Sequence, residues 1–150
     1  MSYRTWHTYG IGFCVDDIKT TPERLLKLAA LDDVVLNDVR NYLEDRFEGN
    51  YQDTELEIDD FCDFEGMFCD RGITCILLEV MNSVEKIPFI YADSFDCFDY
   101  ILYCPAYPWN LTKNEVNLTR EKLEEIFNKY ISVLTDEQIL IDWQEVENGG

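Results

Sequence analysis

Between Thr8 and Val15 large residues at Tyr9, Ile11, Phe13 and Val15 alternate with Gly10, Gly12 and Cys14, a period of two that predicts a first β-strand with one bulky and one small face. The two glycines mark a bulge or the close approach of a helix to the sheet. Thr21-Pro22-Glu23 then has the form of a helix start: a capping hydroxyl, proline at the first helical position, and an acid at the positive end of the dipole. Leu25, Leu26, Leu28 and Ala29 supply its apolar side. A second helix, capped by Asp32 or Asp33, carries Val35, Leu36, Val39, Leu43 and Phe47 at helical spacing and stops at Gly49. Its outer face is Asp38, Asn41, Asp45 and Glu48, and Arg40 is placed to pair with Glu44 one turn on.

From Tyr51 to Asp70 the pattern reads as a loop followed by one short helix over Asp59 to Gly66. Ile73, Thr74, Ile76, Leu78 and Val80 predict a strand, Pro88 to Ala92 a second and Phe98 to Cys104 a third, together an antiparallel meander. The clearest helix follows Thr119, where Leu123, Ile126, Phe127, Tyr130, Ile131 and Leu134 keep to one face. Gln138 to Val146 gives a final strand, with Ile139, Ile141 and Trp143 on one side, and Asn148-Gly-Gly is expected to fray. The expected fold is a single α+β domain over residues 1–150, with about four or five mostly antiparallel strands and three or four helices in the order β-α-α-(α)-β-β-β-α-β.

Charge changes this picture more than length does. The formal net charge is −19, well beyond the magnitude of about 2 to 8 that keeps a small domain soluble. Nucleic acid and anionic membrane surfaces are repelled by such a surface, and basic proteins are attracted. Direct nucleic-acid binding and membrane association are therefore not expected. The 47% hydrophobic and 14% aromatic composition places this acidity on a folded chain. The first residues carry no basic segment followed by an apolar run, which leads to the expectation of a cytoplasmic protein with six reduced cysteines.

The acidity is concentrated: Asp32 to Asp70 holds 14 of the 31 acidic residues against Arg40 and Arg46. Calcium does not account for it, because an EF-hand loop with Gly66 at its sixth position would begin at Phe61 and end at Gly72, neither of them a ligand. Cys62, Cys69 and Cys75 lack the short paired spacing of zinc sites. His7 is the only histidine and Cys14 the nearest thiol, a weak basis for nucleophilic chemistry. No catalytic constellation and no cofactor is read from the chain.

Carboxylates held on a helix and its adjoining turns can instead stand in for phosphates in a basic groove. The candidate contact residues are Asp38, Asp45, Glu48, Asp53, Glu55, Glu57, Asp59, Asp60, Asp63, Glu65 and Asp70, with Tyr51 and Phe61 as apolar anchors. The loop from Tyr103 to Trp109 offers a second candidate surface, with Tyr103, Tyr107 and Trp109 available for stacking.

His-Thr-Tyr-Gly-Ile-Gly-Phe-Cys-Val-Asp-Asp at 7–17, Tyr-Cys-Pro-Ala-Tyr-Pro-Trp at 103–109 and Val-Glu-Asn-Gly-Gly at 146–150 together resemble small acidic proteins of Gram-positive phages and mobile elements. In physical type the chain is similar to anti-CRISPR and antirestriction inhibitors that imitate DNA. The resemblance implies a non-catalytic inhibitor whose partner is a basic nucleic-acid-binding protein, foremost a CRISPR effector nuclease in a bacterial cytoplasm. The alternatives are an immunity protein neutralising a basic toxin, and a small ligand-binding module or enzyme using the 103–109 loop.

Overall fold

A computed structural model describes residues 5–47, 49–61, 72–105 and 111–149. Strand β1 (Thr5–Cys14) passes through one 3-10 turn into α1 (Pro22–Ala29) and α2 (Asp33–Arg46). Helix α3 (Gly72–Glu85), strands β2 (Ile90–Asp93) and β3 (Asp99–Tyr103), α4 (Arg120–Leu134) and β4 (Asp142–Gly149) follow. The fold is α+β, and every pairing in the sheet, ordered β2-β3-β1-β4, is antiparallel.

Local chemistry sets most helix starts. Thr21 is extended ahead of Pro22 but its hydroxyl makes no capping bond. Asp32 accepts the Val35 amide at 2.9 Å, and Thr119 accepts the Lys122 amide at 3.2 Å; each satisfies one of the donors that a helix start leaves open.

The helices cover one face of the sheet. Phe13, Ile101 and Tyr103 project from that face into the main core, where the Phe13 ring meets Phe127 edge-on at 5.4 Å and Phe89 lies between Phe127 and Tyr103. On the other face Ala92, Leu102 and Val146 make a second, smaller core with Tyr100 against it. No helix is needed there, because the sheet curls until its two edge strands approach each other. The Phe95 amide donates to the Glu147 carbonyl at 2.8 Å, and the Asn148 amide donates to the Asp93 carbonyl at 2.6 Å.

The curl explains the small face of β1. A Cβ on Gly12 would be driven into the Ile101 carbonyl, and one on Gly10 would lie 2.8 Å from the Tyr103 carbonyl oxygen. The close approach marked by these glycines is thus with strand β3, not with a helix.

Several sequence expectations need correction. The segment Ile73–Val80 is helical: α3 runs 14 residues and buries Ile73, Ile76, Leu77, Val80 and Met81. Its β-branched residues imitate a strand, because a helix enclosed on most sides loses the polar stripe that would reveal its period. The meander reduces to the β2–β3 hairpin. At the other end Asn148 does not fray; β4 extends to Gly149 and Asn148 is buried. Ile139 and Ile141 pack on the core ahead of β4, whereas Trp143 stands exposed. The short helix expected over 59–66 is seen only as a 3-10 turn at 58–61, the remainder lying outside the described residues.

Candidate acidic interface

Helix α2 buries Val35, Val39, Tyr42 and Leu43, which fixes its rotation and sends Asp33, Asn37, Asn41, Glu44 and Asp45 to solvent. Asp38 falls at the margin, half-buried where α2 packs on α3. From α3 comes Glu79, which a strand over 73–80 would not bring to this surface. Glu79 is exposed, but partial desolvation against its neighbours raises its carboxyl above the ordinary range, and the negative charges of Asp38 and Asp45 raise it further. The Asp38 carboxyl is likewise raised, chiefly by burial; the Ser83 hydroxyl works against the shift and Asp32 adds to it. Its Oδ2 is shielded and has no hydrogen-bond partner among the described residues.

Asp38 and Asp45 of α2 therefore both bring negative charge against Glu79 of α3, across two packed helices. The stretch's arginines are engaged elsewhere. Arg40, expected to pair with Glu44, donates to the Thr54 carbonyl at 3.0 Å, and the Arg46 guanidinium lies 5.6 Å from the centre of the Tyr42 ring. Glu44 instead accepts from Gln52 at 2.8 Å.

The loop after α2 is fastened to that helix. Gln52 donates to both Asn41 and Glu44, Asn50 to Asp53 at 3.2 Å, and Thr54 to the Asn50 carbonyl at 3.0 Å. Leu56 and Phe61 plug the far end into the core. Asp53, Glu55, Glu57 and Asp59 are exposed on this anchored segment. Asp60 is half-buried and accepts the Glu57 amide at 2.8 Å, which gives it a turn-stabilising job. Phe61 is 1% exposed and belongs to the core, so it is no contact anchor; Tyr51 is half-buried, packed against the core and beside Gly49. Glu48, Asp63, Glu65 and Asp70 lie outside the described residues.

The other candidate chemistry separates in space. His7 and Cys14 are seven positions apart on one strand, a distance of about 23 Å, and point to opposite faces. The Cys14 thiol is raised above its ordinary value, mainly by burial, which disfavours the thiolate. Among the described residues no group of His, Cys, Asp and Glu is arranged to hold a metal ion, while Cys62 and Cys69 lie outside them. Tyr103, expected at the mouth of an aromatic loop, is buried against Phe89; Tyr107 and Trp109 lie outside the described residues. Among the described residues no helix is long and apolar enough to cross a membrane.

The carboxylate group can attract and orient cationic groups, and its own repulsion is relieved when it does so. Compared with known proteins, the chain matches no family model, no curated protein and no solved structure.

Proposed function

We propose that this protein is a non-catalytic inhibitor that occupies the basic nucleic-acid-binding cleft of a host defence nuclease, foremost a CRISPR effector, using α2 and its anchored loop in place of nucleic-acid phosphates. The observation that carries the reading is the Asp38, Asp45 and Glu79 group, held on two packed helices with the neighbouring arginines drawn off to Thr54 and Tyr42. Asp38 and Asp45 stand two turns apart, a rise of about 10.5 Å, and the loop carries Asp53, Glu55, Glu57 and Asp59 beyond them. Because the scaffold is already ordered, binding costs little conformational entropy. Release of repulsion on meeting lysine and arginine adds to the attraction.

The test is capture of candidate nucleases on the immobilised protein, followed by competition with duplex DNA and with guide RNA. Nucleic acid should displace the nuclease, and raising the salt should weaken the complex steeply. Replacing Asp38, Asp45 and Glu79 by their amides should lower affinity by about tenfold or more, the equivalent of a single good charge contact. A captured nuclease that still binds its nucleic acid normally would refute cleft occupation.

A further inference from the structure

A different surface carries a separate inference, one that does not depend on the reading of the acidic helix. In the β1–β4 ribbon Ile11 lies opposite Trp143, Tyr9 opposite Glu145 and His7 opposite Glu147. Direct cross-strand partners share a face, so these six positions line the side that carries the helices. Only Ile11 reaches the core; beyond it the ribbon continues into solvent, with Tyr9 43% and Trp143 51% exposed. The three rings stack in a row: His7 to Tyr9 at 6.1 Å and 22°, Tyr9 to Trp143 at 6.5 Å and 28°. Glu145 stands against this row. Its Oε1 lies 3.0 Å from His7 Nδ1 and 3.4 Å from the Tyr9 hydroxyl, and among the described residues both contacts fall on that one oxygen.

We infer that this row is a docking site for an arginine side chain presented by a basic partner protein. A guanidinium is planar, stacks on an indole or phenol face, and directs its N–H groups outward in its own plane, where a carboxylate beside the ring can accept them. Trp143, at the end of the row, supplies the open face and Glu145 Oε2 the acceptor, with Glu147 across from His7 extending the negative field. Charge decides the occupant. With a net charge of −19, anionic ligands and a second copy of the chain are both repelled, whereas a basic segment is drawn in. Lysine fits less well, since its compact ammonium cannot stack and fork at once.

The test uses the whole protein, isotope-labelled, titrated at moderate salt with N-acetyl-Gly-Arg-Gly-amide, its lysine and citrulline analogues, and cellotriose. The arginine peptide should shift the Trp143 indole and its strand neighbours. Trp143→Ala and Glu145→Gln should each weaken its binding by about fivefold to tenfold, and Trp143→Phe should restore part of the loss by returning a flat ring. Glu121→Gln with Glu125→Gln, two exposed acids of α4 away from both surfaces, should leave the peptide's affinity within about twofold of the parent at that salt. Amide spectra of the variants report whether the ribbon remains folded, and Trp143→Phe stands in for the alanine variant should that one unfold. Equal binding of the citrulline peptide, an unchanged affinity in Trp143→Ala or Trp143→Phe and Glu145→Gln, or a response to cellotriose alone would overturn the assignment.

Discussion

The side-chain amide of Asn148 lies 2.6 Å from the carbonyl oxygen of Asp93 and ties one edge strand of the sheet to the other. Its oxygen accepts the Thr8 hydroxyl at 2.7 Å, so one buried side chain joins β2, β4 and β1. Removing it takes one hydrogen bond each from a carbonyl and a hydroxyl at half-buried positions. Asn148→Ala should cost about 2 kcal/mol, read as a lower urea midpoint at unchanged slope.

Gly12 faces a steeper penalty than Gly10. Any side chain at position 12 collides with backbone of the adjoining strand rather than with a yielding side chain. Gly12→Ala should destabilise by about 3 kcal/mol, the upper part of the range for overpacking, and Gly10→Ala by less. Thermal melts of the two variants side by side test the order.

The acidic group makes a signed prediction about pH. Asp38 and Glu79 are raised by desolvation in the folded protein, so between their ordinary and raised values the folded state binds more protons than the unfolded one. Stability therefore rises as pH falls through the raised values, and levels off below the ordinary carboxylate range. Above the raised values the penalty is present in full. Asp38→Asn should raise the melting temperature at about pH 7 and lose that advantage as the pH falls through the raised value into the ordinary carboxylate range. Melts across that interval measure the convergence.

Tyr130 should give the opposite limb. Its hydroxyl is buried and donates to Glu85 at 3.0 Å, while Lys129 pairs with the same carboxylate. Burial, then the Glu85 charge, then that hydrogen bond hold the phenol far above its ordinary value. The stabilisation is present below about pH 10 and is lost as pH climbs beyond it, because the unfolded chain ionises first. Tyr130→Phe should cost about 1.5 kcal/mol at neutral pH and flatten the alkaline limb. Absorbance titration should find this tyrosine silent until the protein unfolds.

Legibility in the sequence followed how much of each element meets water. Helix α4 alternates Leu123, Phe127, Tyr130 and Ile131 with charged neighbours, so its period was readable, as was the Asp32 start of α2. Helix α3 presents so little polar surface that Ile73, Thr74 and Ile76 passed for a strand, although 14 residues is long for one. That error hid Glu79, whose place beside Asp38 exists only when residues 72–85 are helical. The acidic stretch was visible as composition, but its division of labour was not: nothing local distinguishes exposed Asp59 from Asp60, which caps a turn, and Phe61 is buried by tertiary contacts alone. The aromatic row was invisible for a similar reason. His7, Tyr9 and Trp143 meet only through the β1–β4 register.

That register also sets an order of events. The Thr8–Asn148 contact spans 140 positions, and β1 pairs, among the described residues, with strands that begin at Asp99 and Asp142. Helices α1 and α2 close over short sequence distances and can organise early, while the central strand must wait for residues made long afterwards. Loop closure over such a distance is slow, and β1 remains exposed to the translation machinery and to chaperones in the meantime. The stacking of Tyr9 on Trp143 is then a marker of completed folding: indole fluorescence assigned to position 143 should change last, after helical signal has reached its native value.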